Sequence, residues 1–472
     1  MKVIHLSAEC YPVAKVGGLG DVVGALPKYL CQAGVDASVV MPFYDRKFTQ
    51  ENSFKVVHQA PLLLGNRPIS YDILKESTNK LGFELYLIRI PGLLDRVEVY
   101  GHSDETEQFV AFQIAFLDWL ISSGIKPDIL HCHDHHTGLV PFLVSHSARY
   151  KELAMIPTIC TIHNGQYQGS FEWDKLVYLP EVDLTKGGLL DWGGRINPLA
   201  SSVKCCWKFT TVSQSYLKEL SLYSNGLEYL FAAERDKGVG IINGIDTDVW
   251  NPQTDTMIVK QYAARTVGKG KETNKAALCA EFGLNADKPL VSFIGRLVGE
   301  KGADLLYDII VRSLDKHKGE LNFMVLGSGE PEIERALASI RDNYSGSYNV
   351  MIGYNEALSH RIYAASDFLI MPSRVEPCGL NQLYSMRYGT LPVVRSTGGL
   401  KDTVIDFESE GGYGVSFDDA GVESACTAVD RSVALFANTA KINTLRKKIM
   451  ALDFSWDQSA NQYIDLYTSL IS

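Results

Sequence analysis

Short apolar runs and longer amphipathic stretches alternate along almost the whole chain. In the first half the runs include Val3–Leu6, Ala37–Met41, Leu85–Ile90, Ile129–His131, Thr158–Ile162, Thr210–Val212 and Val239–Ile242. Apolar residues at helical spacing lie between several of them, as in Phe109–Ile121, Thr137–Ser147 and Gln214–Leu222. The second half repeats the rhythm, with runs at Leu290–Ile294, Asn322–Leu326, Asn349–Ile352, Phe368–Met371 and Leu391–Val394. Helical patterns fall at Ala303–Leu314, Pro331–Arg341, Ser359–Ala365 and Gln382–Tyr388. Strands of four to eight residues alternating with helices are the mark of parallel sheets wound on both faces. The pattern occurs twice, so the chain reads as α/β with two Rossmann-like doubly wound domains.

Turn residues set the expected boundary near Asn243–Gln253, where Asn243-Gly-Ile-Asp246 and Asn251-Pro252 interrupt the pattern. The expected domains are 1–245 and 246–455. The tail 456–472 carries Tyr463, Leu466, Tyr467 and Leu470 at helical spacing and is expected to pack on a domain. Two polar, glycine-bearing stretches, Arg265–Lys275 and Lys186–Pro198, read as surface loops, the first of them mobile.

Composition narrows the class. A chain of 472 residues is too long for one ordinary core and suggests about two to four domains. A net charge of -10 argues against a nucleic-acid partner, which wants a basic face. The nine cysteines are odd in number and include no C-x-x-C pair, so reduced thiols in a cytoplasmic protein are expected. The start lacks the pattern of a signal peptide, and no run of about 18 apolar residues implies a membrane span.

Candidate chemistry gathers where strands end. After Val3–Leu6 comes Lys15-Val-Gly17-Gly18-Leu-Gly-Asp21, which opens a helical pattern. Glycines let a ligand approach the backbone, and helix N–H groups attract anions. The same turn serves packing equally well, and its spacing is not the G-x-G-x-x-G of dinucleotide enzymes. In His131-Cys-His-Asp134-His-His-Thr137, alternate histidines would share one strand face. Strand-end histidines without a metal are favoured over a zinc site, and Asp134 reads better as a recognition group at a strand's carboxyl end. His163 and Asn164 end the next strand in the same way. In the second half, Arg296 and Lys301 follow Leu290–Ile294, and Glu376-Pro-Cys378-Gly379-Leu380-Asn381 follows Phe368–Met371. An arginine fork, a lysine point charge and a glycine before a helix suit a diphosphate, and a carboxylate suits sugar hydroxyls.

Taken in order, these motifs resemble the bacterial glycogen synthase and plant starch synthase family. The likeness runs through Lys15–Asp21, His133-Asp134, Thr161–Asn164 with Tyr167-Gln-Gly169, Ile242–Asp246, Arg296 and Lys301, Pro372–Leu383, and Tyr388–Pro392 through Thr397–Leu400. It implies the GT-B arrangement, with an interdomain cleft and a C-terminal helix crossing back to the first domain. It implies a retaining enzyme that moves glucose from ADP-glucose to the non-reducing end of an α-1,4-glucan and releases ADP, without cofactor or metal. The alternatives are a retaining GT-B glucosyltransferase using UDP-glucose or another acceptor, or a non-catalytic glucan- or nucleotide-binding relative.

By position, the resemblance puts Lys15, with Gly17, Gly18 and Asp21, beside the diphosphate or sugar. Asp134, His163, Asn164 and Asn243 fall on the glucosyl and acceptor side. Arg296 and Lys301 neutralise the departing diphosphate, and Glu376 holds the glucose. Cys378, Gly379, Leu380 and Asn381 surround the phosphate, and Gly353 and Tyr354 sit beside the nucleoside. Four positions depart from the usual pattern, one of them Val16, where many relatives carry threonine. Asn381 replaces threonine and His135 replaces tryptophan. Tyr384 stands at the second glutamate of the E-x7-E pattern, which glycogen synthases of this family also lack.

Overall fold

The computed structural model describes residues 1–471 and divides into two compact units, Met1–Ile242 with the helix Trp456–Ile471, and Asn243–Ser455. The second unit thus begins at Asn243, before the boundary expected after residue 245. Ile245 bridges to Ser455, so the segments entering and leaving this unit meet side by side.

The first unit is built on eleven strands: β1 Lys2–Leu6, β2 Asp36–Pro42, β3 Phe54–Leu64, β4 Arg67–Glu76, β5 Glu84–Arg89, β6 Ile129–His133, β7 Thr158–Ile162, β8 Asp191–Trp192, β9 Arg195–Ile196, β10 Lys208–Thr211 and β11 Gly238–Gly240. Nine form one sheet in the order β11-β10-β7-β6-β1-β2-β5-β4-β3. Strand alternation sends Ile4, Leu6, Leu130 and Cys132 to one face, under the helices Glu105–Ser123 and Val140–His146. Val3, Ile129 and Ile159 face the other way, against Val22, Leu26 and Leu30 of the helix Gly18–Gln32 and Trp456, Tyr463 and Tyr467 of the last helix.

Two features of this unit depart from the sequence reading. Its far edge is antiparallel: β3 pairs with β4, and β4 with β5. The β3–β4 turn is Gly65-Asn66, with Gly65 at φ +60°, a two-residue hairpin signal. The Lys186–Pro198 stretch is not plain loop either, because β8 and β9 form a small hairpin turned by Gly193 and Gly194 at φ +65° and +81°.

The second unit adds β12 Leu290–Leu297, β13 Asn322–Gly329, β14 Tyr348–Ile352, β15 Phe368–Met371, β16 Leu391–Arg395 and β17 Val415–Phe417. Every pairing is parallel, and the order is β14-β13-β12-β15-β16-β17. Counted from its first strand this is 3-2-1-4-5-6, the doubly wound order whose ligand crevice lies where the winding reverses. Here that reversal falls between β12 and β15. In the first sheet it falls between β1 and β6.

The mobile loop expected at Arg265–Lys275 is instead part of the helix Val267–Phe282. Lys271 is 2% exposed, and its Nζ lies 2.7–3.2 Å from the carbonyls of Tyr363, Ala364 and Tyr388 and from Thr390 Oγ1. Asn274 Oδ1 accepts from Val259 and Lys260 N–H at 3.0 and 3.1 Å. Polarity signalled exposure in the sequence, but tertiary partners satisfy these groups inside.

Candidate active site

In the first unit the segments after β1, β6 and β7 carry the candidate residues. The turn after β1 leads into the helix Gly18–Gln32, and a Cβ added at Gly17 or Gly18 would meet nothing within 4 Å. That open backbone fits close approach by a ligand. The nearby amides are not all vacant: Glu9 Oε2 accepts from Val16 and Gly17 N–H at 2.6 and 3.0 Å, and Tyr100 OH donates to Glu9 Oε1 at 2.6 Å. Lys15 Nζ lies 2.6 Å from Asp21 Oδ1, with both side chains partly exposed. The glycine turn is therefore organised by the protein's own carboxylates. Glu9, 3% exposed, was not among the sequence candidates, though it is a carboxylate just beyond the end of a strand.

Strand β6 ends at His133, so His135 leaves the face that His131 and His133 share. Asp134 marks the break, at φ +56° and ψ -173°. That region is nearly reserved for glycine and costs on the order of 1–3 kcal/mol. The surroundings over-determine it: Asp134 N–H donates to Thr161 O at 2.9 Å, and Asp134 Oδ1 accepts from His163 N–H at 2.7 Å. Asp134, His163 and the backbone of Asn164 thus come together. Behind them runs a buried imidazole row, with His163 Nε2 3.0 Å from His133 Nδ1 and His133 Nε2 3.1 Å from His5 Nδ1. Burial pushes His5 and His163 down to about 3, so the row is neutral at ordinary pH.

Burial raises the Asp134 carboxyl to about 7, against the opposing pull of the His163 and Asn164 backbone bonds. An unfolded aspartate titrates near about 3.9. The native proton is therefore held where the unfolded chain has lost it. The resulting stabilisation is full below about pH 4 and vanishes as pH rises through about 7. The unfolding free energy of the wild type should fall over that window relative to Asp134→Asn, measured by denaturant titration at a series of pH values. Parallel profiles would refute a raised Asp134.

In the second unit the loops after β12 and β15 flank the winding reversal. Lys301 Nζ lies 2.6 Å from Glu376 Oε1, and Ser373 Oγ donates to Glu376 Oε2 at 2.8 Å. Gly302, at φ +66°, makes that approach possible: a Cβ there would stand 2.1 Å from Pro372 O. Gly399 plays the same part behind Glu376, with Cys378 O 1.9 Å from where its Cβ would be. Arg296 is more exposed and reaches Glu300 at 3.7 Å. Cys378 is buried, which pushes its thiol up to about 12 and keeps it unreactive. It takes a hydrogen bond from the Asn243 backbone, and Asn243 Oδ1 is buried with no partner among the described residues. Gly379 has φ +73°, and Leu380 leads into the helix Asn381–Arg387. Gly353 and Tyr354 lie apart, beyond β14, with Tyr354 83% exposed.

The geometry has counterparts among known proteins. Residues 2–233 match the family model described as starch synthase catalytic domain, and residues 274–432 match glycosyl transferases group 1. A curated glycogen synthase from Flavobacterium johnsoniae is 53% identical over 471 residues, spanning 100% of this chain and 99% of the relative. The chain belongs to the glycogen and starch synthase family. A glycogen synthase from Thermodesulfovibrio yellowstonii is 36% identical over 505 residues, with 100% of this chain and 98% of that one covered. The solved catalytic domain of Starch Synthase IV from Arabidopsis thaliana, bound to ADP and acarbose, matches with a TM-score of 0.88 and 35% identity over 99% of both chains. The fold is therefore GT-B, with two parallel-sheet α/β domains, and the protein is a glycosyltransferase of the glycogen and starch synthase kind.

Within this family frame the departures acquire structural reasons. Tyr384 stacks on Trp250 at 3.9 Å, and His360 stacks on the same ring at 4.0 Å. An aromatic ring is built into the packing where related transferases carry a second glutamate. Asn381 Nδ2 donates to Ile294 O at 2.6 Å, so its amide ties the helix to β12. Among the described residues, no helix is long and apolar enough to cross a membrane.

Proposed function

We propose that this protein transfers glucose from ADP-glucose to the 4-hydroxyl at the non-reducing end of an α-1,4-glucan, with retention of configuration and release of ADP. The observation that carries the reading is the match to a glycogen synthase at 53% identity along the whole chain. The ADP and acarbose of the starch synthase structure supply the ligand classes, a nucleoside diphosphate and a glucan-like oligosaccharide. Arg296 and Lys301 stabilise charge growing on the departing diphosphate, and Lys15 adds a third cation. Glu376, held by Lys301 and Ser373, accepts hydrogen bonds from the glucose hydroxyls. Cys378–Asn381 offer backbone to the phosphate, and Gly353 and Tyr354 border the nucleoside. Asp134, His163, Asn164 and Asn243 line the sugar side.

The leaving group is stabilised by protein cations, so the reaction needs neither metal nor cofactor. With Tyr384 in the aromatic stack, no second carboxylate stands at the E-x7-E position, and a front-face displacement assisted by the leaving phosphate is the route drawn. Nine free cysteines, none of them exposed, suit a reducing compartment, which supports a cytoplasmic location.

The test is ADP release by the purified protein with ADP-glucose and glycogen, with UDP-glucose in parallel. ADP release with glucan growth is the expected result. UDP release in its place would keep the reaction and replace the donor. A folded protein that binds ADP and turns over neither donor would be a binding relative.

A further inference from the structure

Among the described residues, two groups of metal-capable side chains occur in the first unit, and their hydrogen bonding separates them. His5, His131 and His133 offer ligand atoms within 4.8 Å of one another, yet nearly every nitrogen is engaged. His131 uses one nitrogen on Tyr467 OH at 2.7 Å and the other on Thr161 Oγ1 at 2.6 Å. His133 spends its two on His5 and His163. Only His5 Nε2 is left over among the described residues. One open nitrogen makes no metal site.

The second group, Glu105, His135 and His136, also falls within 4.8 Å, and it is built differently. The two rings are 3.7 Å apart, centroid to centroid. His135 Nδ1 and His136 Nδ1 are both buried and find no partner among the described residues. His135 also has a hydrogen bond with the Tyr167 backbone, and its Nδ1 is left without a partner among the described residues. That is the outer-shell arrangement usual for a metal-bound imidazole. Tyr100 stacks on His136 at 4.9 Å, and Phe109 meets it edge-on at 4.6 Å. Gly169 makes room for His135: a Cβ there would lie 2.3 Å from His135 Cδ2. Glu105 opens the helix Glu105–Ser123, and its Oε2 takes a long bond of 3.3 Å from Gly101 N–H. Glu105 and His135 are half-buried.

We propose that Glu105, His135 and His136 form a binding site for a divalent transition metal of the zinc type, with a fourth position open to water. Two imidazoles and one carboxylate are a zinc donor set, whereas calcium and magnesium prefer oxygen throughout. The two histidines of the site directly follow Asp134, so an occupying ion would pin the strained turn Asp134–Thr137. The inference stands apart from the glucosyl-transfer reading and is tested without turnover.

The full-length protein, stripped with a chelator, would be titrated with Co²⁺ and then Zn²⁺. One equivalent of Co²⁺ should bind with the visible absorption of a low-coordinate ion and no sulfur-to-metal charge-transfer band. Zn²⁺ should displace it and raise the thermal midpoint. Glu105→Gln and His135→Trp should each weaken binding by at least about 100-fold, the upper loss seen when an outer-shell partner is removed. His102→Gln should leave it unchanged. Glu105→Gln alone keeps the test decisive if His135→Trp folds poorly, because Glu105 is half-buried at a helix start. Absence of stoichiometric binding, undiminished binding in Glu105→Gln, or a thiolate band would overturn the proposal.

Discussion

Lys301→Ala is expected to lower turnover by about 10²–10³-fold, a loss of about 2.7–4 kcal/mol in transition-state stabilisation. The ammonium sits at the winding reversal of the second sheet, 21% exposed and 2.6 Å from a Glu376 carboxylate that is itself 8% exposed. Partial burial lowers the local dielectric, so a fixed charge acts more strongly there than in water. As the glycosidic bond breaks, negative charge grows on the diphosphate, and a cation already in place needs no reorganisation to meet it. The loss should therefore fall on kcat more than on the KM for ADP-glucose. Removing Lys301 also leaves Glu376 with Ser373 as its remaining side-chain partner. Lys301→Arg should recover only part of the activity, because a planar fork does not reproduce a point charge. Arg296→Ala should cost a similar factor. Steady-state kinetics with both donors checks the set, and near-normal turnover in both alanine variants would remove the assignment.

The largest expected effect on stability comes from Asp367→Ala, at about 3–5 kcal/mol. Asp367 is 2% exposed, just before β15. Its Oδ2 accepts from Lys275 Nζ at 2.7 Å and from Leu290 N–H at 2.9 Å, and its Oδ1 accepts from Arg446. The two cations are 7% and 8% exposed, so truncation strands both of them away from water. Burial alone would raise the Asp367 carboxyl; the neighbouring charges of Lys275 and Arg446 outweigh it and hold the group below the usual range. The native state thus keeps Asp367 ionised where the unfolded chain has begun to protonate. Its contribution is complete above about pH 4, the unfolded value, and is lost as pH falls through the lower native one. Calorimetry of the variant should show the second unit melting first, and an unchanged melting profile would contradict the triad's role. Lys275 belongs to the stretch whose polarity reads as loop in the sequence.

That misreading shows where sequence reasoning stops. Val267–Phe282 has glycines, lysines and little apolar periodicity, and its helix is held by groups far along the chain: Tyr363, Ala364, Tyr388 and Thr390 around Lys271, and Asp367 at Lys275. The hairpin edge at β3 and β4 was legible in principle from Gly65-Asn66 between two runs of strand-forming residues. The candidate residues at strand ends were legible because parallel α/β sheets bind ligands there. Their partners were not. Nothing local pairs Lys301 with Glu376, 75 residues away, or joins Glu9 to the amides of its own glycine turn.

The sequence by itself determined the alternation of strands and helices, the two doubly wound units, the helix Trp456–Ile471 and the family. Each of these follows from short-range periodicity or from ordered motifs, and neither needs knowledge of distant contacts. Tertiary structure alone decided the strand orders, and with them the winding reversals that bring the loops after β12 and β15 together. It also decided which ionisable groups are buried, and so the raised Asp134, the lowered Asp367 and the neutral histidine row. Burial and pairing depend on what the rest of the chain packs around a group, and no window of sequence contains that information.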